Sequence, residues 1–144
     1  MIQRTFDLHI VVWPAEDVPG QWLAHCLELD VVSQGNSLAH AVAMIREAVG
    51  LVLSDDLSKG LDPQRRRAPQ EDWEAMWKRL QEAHPLPFDE ATRGNPAYLV
   101  LESTVRVSGR SQAEFDQLAG GALPAPTPVE FSVPVAFSPT ARAA

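Results

Sequence analysis

The sequence predicts an α+β fold: an antiparallel three-stranded meander, one long helix packed against it, and additional C-terminal strands. Three observations carry that prediction. Residues 5–35 hold three short runs of alternating apolar and polar positions, separated by turn chemistry. At residue 38 the apolar spacing changes from two to three and four. Beyond residue 96 alternation returns twice more.

The first run, "TFDLHIVVW", puts Phe6, Leu8, Ile10 and Val12 on one side of a strand and Asp7, His9, Val11 and Trp13 on the other. "PAEDVPG" follows, with proline, acids and glycine where a chain reverses. In "QWLAHCLEL" Trp22, Ala24 and Cys26 share one face, and Leu23, His25 and Leu27 the other. "DVVSQG" reads as a short third strand closed by Gly35. From Leu38 the apolar positions are Leu38, Ala41, Val42, Ile45, Ala48, Val49 and Val52, one stripe of a helix that ends near "SDDLSKG". Asn36 or Ser37 can cap its first amides, although the acid that completes a capping box is replaced by His40.

Residues 58–70, "SKGLDPQRRRAPQ", have no periodicity and read as a solvated linker, the cluster Arg65, Arg66 and Arg67 included. "EDWEAMWKRLQEA" is a short amphipathic helix whose stripe is Trp73, Met76, Trp77 and Leu80, expected to dock on the chain's own sheet. Its acids come first and its bases last, as the helix dipole favours. "HPLPFDEATRGNP" reads as loop. "AYLVLESTVRV" alternates, with Glu102, Thr104 and Arg106 opposite its apolar face. "SQAEFDQLA" has the spacing of one or two helical turns. After "LPAPTP", the run "VEFSVPVAFS" sets Phe131, Val133, Val135 and Phe137 on one face, and Pro134 confines it to an edge. The organisation is therefore a β-β-β-α unit over 1–57, a linker with a short helix over 58–95, and strands with a proline-rich tail over 96–144.

Composition narrows the function. The net charge of −7 argues against a general nucleic-acid binder and suits a basic partner. A lone cysteine, Cys26, excludes an internal disulfide framework and fits a reducing cytoplasm. No run approaches the ~20 apolar residues of a membrane span, and the charged start does not read as a signal peptide. No phosphate loop or nucleophile elbow is present, and the four histidines lack metal spacing. His9 and His25 are placed to face each other across neighbouring strands, but a metal needs more ligands than two. Asp7, Glu28, Asp30 and Glu47 read as solvated acids and not as a two-metal nuclease set. The expectation is a binding protein, not an enzyme, with neither metal nor cofactor. Phe131, Val133, Val135 and Phe137 are the candidate self-association residues of a homo-oligomer, since open sheet edges seek partners.

The stretch "DLHIVVWPAEDVPGQWLAHCLELDVVSQGNSLAHAVAMIREAVGLVL" resembles the HicB antitoxin family. Trp22, Ala24, Glu28, Leu29, Gln34, Gly35, Ser37, Leu38, Ala41, Ile45, Glu47 and Ala48 stand at the positions of that family's pattern, over about residues 5–55. The resemblance implies a partial RNase H-like fold and a partner, a small basic ribonuclease toxin of the HicA type. With that partner in view, Asp7, His9, Glu28 and Asp30 are the candidate partner-binding residues. The chain departs from the family at Ala39 and His40, where acids are usual. It departs again over 96–144, where many members carry a DNA-binding tail, so specific DNA binding is not expected.

Overall fold

A computed structural model describes residues 2–109 and 129–139. The chain is α+β, with three helices and an antiparallel sheet of seven strands among the described residues. The strands are β1 (Ile2–Pro14), β2 (Trp22–Cys26), β3 (Val31–Gly35), β4 (Ala83–Leu86), β5 (Leu99–Gly109), β6 (Val129–Phe131) and β7 (Val135–Pro139). They lie in the order β3-β2-β1-β5-β7-β4, with β6 also on β5. The helices are α1 (Leu38–Ser58), α2 (Gln70–Gln81) and α3 (Phe88–Arg93).

The meander and the long helix form as their periodicities require. Phe6, Leu8, Ile10 and Val12 of β1 and Trp22, Ala24 and Cys26 of β2 face α1, which buries Leu38, Ala41, Val42, Ile45, Val49, Leu53 and Leu57 against them. Ser37 caps the helix by accepting from the His40 amide at 3.1 Å. His40 takes over the acid's part in reverse, its Nδ1 accepting from the Asn36 amide at 3.0 Å. Gly35 is where strand and helix meet. A Cβ there would lie 2.7 Å from the carbonyl carbon of His40 and 2.8 Å from Cα of Ala41.

The late strands complete the same sheet. β5 pairs with β1 over eleven residues, from Ile2↔Gly109 to Val12↔Leu99. On the opposite face from α1, α2 seals a second core of Val11, Leu27, Ala68, Trp73, Met76 and Val100. Tyr98 ties α2 to the start of β5 by donating to the Arg79 carbonyl at 2.9 Å. Trp77, expected in the buried stripe, is 45% exposed, so the docked face is narrower than the sequence pattern.

Three expectations are corrected. First, residues 58–70 are not a solvated linker. They form a 3-10 turn, Pro63–Arg66, whose Arg65 and Arg66 bind both carboxylate oxygens of Asp56, which is 1% exposed. Burial raises the Asp56 carboxyl, but hydrogen bonds and charge from Arg66 and Arg65 outweigh it and hold the group below the usual carboxylate range. Second, "HPLPFDEATRGNP" is not all loop, since it contains β4 and α3.

Third, "VEFSVPVAFS" is not one uniform edge strand. Val105 pairs with Phe131 and Glu102 with Val135, so residues 132–134 oppose only Ser103 and Thr104. That extra residue is a β-bulge at Pro134, and it reverses which side chains face α1. Phe131 packs on the α1 core, whereas Ala136 joins that core beyond the bulge and Phe137 turns to the α2 core. Val133 and Val135 remain exposed, so the four residues do not share a face. β7 is internal, with β5 on one side and β4 on the other. "SQAEFDQLA" and "LPAPTP" lie outside the described residues. No described helix is long and apolar enough to cross a membrane.

Candidate functional site

The antiparallel register fixes what the α2 side of the sheet presents, because directly paired residues point to the same side. Val11, Val100 and Phe137 form one row, and α2 covers it. The next row is His9, Glu102 and Val135, then Asp7 and Thr104, then Thr5, Arg106 and Glu130. These rows run out from under α2 to the open end of the face, where Thr5, Asp7, Thr104, Arg106 and Glu130 are exposed.

His9 is the centre of this arrangement. Its amide donates to Glu28 Oε1 and its ring Nδ1 lies on Oε2, each at 2.6 Å. Glu28 reaches it because the chain turns after β2, with the Leu27 amide bonded to the His9 carbonyl at 3.0 Å. Glu102 Oε1 stands 3.6 Å from Nε2, and the Trp73 ring meets the imidazole edge to face at 5.9 Å. The hydrogen bond to Glu28 raises His9 above the ordinary histidine value; burial opposes this, and the charges of Glu28, Glu102 and Asp7 reinforce it. The ring therefore holds its proton near neutrality, as an imidazolium among three carboxylates.

Of the four expected partner-binding residues, Asp7, His9 and Glu28 come together and Asp30 stands apart. Asp7 accepts from Thr104 Oγ1 at 3.1 Å. Asp30 pairs with His25 Nε2 at 2.7 Å, on a backbone with φ of 49°, a left-handed turn position that aspartate tolerates better than most residues. Glu28 is buried, so its reading as a solvated acid is corrected. Glu47 lies on α1, on the far side of the sheet from His9. His25 pairs in register with Val11, and each histidine has its own carboxylate, so the two do not form a shared site. Among the described residues no three His, Cys, Asp or Glu side chains are grouped to hold a metal ion. Burial pushes the Cys26 thiol up to about 12, which makes it a core residue and not a nucleophile.

Sequence reading missed Glu102 and Trp73 as neighbours of His9, since only the β1–β5 register and the docking of α2 bring them there. The Asp56 clamp was also missed, although an Asp-Asp pair at a helix end followed by an arginine run was its visible signal.

Comparison with protein-family models, with characterised proteins and with solved structures finds no match to this chain.

Proposed function

We propose that this chain is a HicB-like antitoxin, a binding module that covers a small basic ribonuclease of the HicA type. One observation carries the reading: the sheet face beyond α2 offers the carboxylates of Asp7, Glu102 and Glu130 against the single guanidinium of Arg106. On a chain of net charge −7, that face attracts a basic surface and steers its approach. The order β3-β2-β1-β5 with α1 on one face also accommodates the β-β-β-α unit that the family resemblance implies, closed by a later strand. A binding role and not catalysis fits a site whose histidine is held by Glu28 and whose only thiol is buried.

A stand-alone oligomeric module is the second reading, and a different feature favours it. The β3 strand, "VVSQG", pairs with β2 alone among the described strands and carries no proline, lysine or bulge. Its Val32 is 59% exposed. By contrast, β4 contains Pro85 and β6 stops at the bulge, two common protections of an edge.

Gel filtration of the purified chain with the small basic protein encoded beside its gene separates the two. The antitoxin reading expects a complex that survives the column at micromolar concentration. Absence of such a complex, with a homo-oligomer persisting alone, favours the oligomeric module.

A further inference from the structure

The contacts of His9 are unusual in joining three separate parts of the chain. Its amide and ring both engage Glu28, in the turn that follows β2. The same turn supplies the Leu27 carbonyl that accepts from the Ala68 amide at 2.8 Å, just before α2 begins. Trp73 of α2 then rests on the imidazole, with the Arg67 guanidinium stacked 4.0 Å over the indole's other contacts. The segment 61–81 is thus fastened to the sheet where His9 and Glu28 meet.

We propose that the His9–Glu28 pair is a pH-sensitive latch that holds the α2 segment on the sheet and loosens it when the imidazole loses its proton. The charged groups around His9 all act in one direction on its proton or lie further off. Glu28 comes from the turn, Glu102 from β5 and Asp7 from β1 itself, and all three favour the imidazolium. Arg67, from the segment before α2, faces His9 only across Trp73. His25, one row away on β2, is occupied by Asp30.

Loss of the proton leaves Glu28, 7% exposed, beside a neutral ring and without a counter-charge. A buried carboxylate in that position is costly, and moving the turn outward relieves it. The turn carries the Ala68 hydrogen bond with it, so the layer over Val11 and Val100 loosens first. The main core, under α1, has no share in the latch.

The direction follows from linkage. A group raised in the folded state stabilises fully below its unfolded value, about 6.5, and the stabilisation is lost as pH rises through the raised folded value. Between those two values, opening of the segment increases by up to about tenfold per pH unit and is level on either side.

Amide hydrogen exchange of the full chain from pH 6 to 9, expressed as protection factors, tests this. The expected result is that protection of residues 70–81 falls within that window while α1 is unchanged. In His9→Asn, whose amide donates to Glu28 without titrating, the pH dependence is expected to vanish. Glu28→Gln serves the same purpose should His9→Asn fold poorly, since it removes the charge that the imidazolium balances. Constant protection of residues 70–81 in the wild-type chain overturns the latch. So does an equal loss in α1, or the same slope in a folded variant.

Discussion

Replacing Gly35 with alanine tests the joint between the meander and α1. The new Cβ would sit 2.7 Å and 2.8 Å from backbone atoms of His40 and Ala41, whereas ordinary contact begins near 3.4 Å. Backbone cannot rotate away as a side-chain tip can, so the first turn of α1 must retreat by roughly 0.7 Å. That turn seats Leu38, Ala41 and Val42 in the main core, and its retreat loosens their packing as well. Overpacking costs about 1–3 kcal/mol, and a backbone obstacle places this case at the upper end. A loss of about 3 kcal/mol corresponds to a fall in Tm of roughly 10 °C for a chain of this size. Gly20→Ala is the informative control. Gly20 has a φ of 82° and nothing within 4 Å of its would-be Cβ, so only the backbone strain of about 1 kcal/mol applies. Urea and thermal unfolding followed by circular dichroism measure both variants. A Gly35→Ala chain within 0.5 kcal/mol of wild type, or less affected than Gly20→Ala, would refute the close seating of α1.

Other consequences concern charge and reactivity. Asp56→Ala strips Arg65 and Arg66 of their shared partner, with an expected loss of about 2 kcal/mol in urea unfolding; this is below the value for a fully buried pair because both guanidiniums remain more than a third exposed. Since the Asp56 carboxyl is held below its ordinary value, its contribution is present above about pH 4 and is lost as pH falls through the lower folded value; in Asp56→Asn the acid limb of the stability profile should flatten. Cys26 should resist thiol reagents in the folded chain at pH 8 and react at once in urea, and rapid labelling of the native protein would contradict its burial. The triple variant Asp7→Asn, Glu102→Gln, Glu130→Gln should weaken binding of a basic partner by about tenfold and reduce its salt dependence, measured by calorimetry at two ionic strengths.

What the sequence discloses, and what it hides, follows from which elements have two unlike faces. β1, β2 and α1 each set a buried side against a more polar one, so alternation and three-four spacing reveal their apolar faces. β4 and α3 are four and six residues long, and prolines at 85 and 87 mask them as loop. The bulge at Pro134 hides a change of phase, because an inserted residue leaves the written alternation unbroken while the side chains exchange faces. At the candidate site, Asp7 and His9 are legible as neighbours on one strand face. Their surroundings are not. Glu28 owes its burial to the fold of the turn, Glu102 to an antiparallel partner far along the chain, and Trp73 to a helix docked from the opposite side of the sheet to α1.

Antitoxin function is tested most directly by following RNA cleavage by the small basic protein encoded beside this chain's gene while this chain is titrated in. Cleavage that falls to background near one chain per ribonuclease, with the endpoint delayed for the Asp7, Glu102 and Glu130 triple variant, is the predicted result. Cleavage that continues at the same rate in several-fold excess of the folded chain would contradict it.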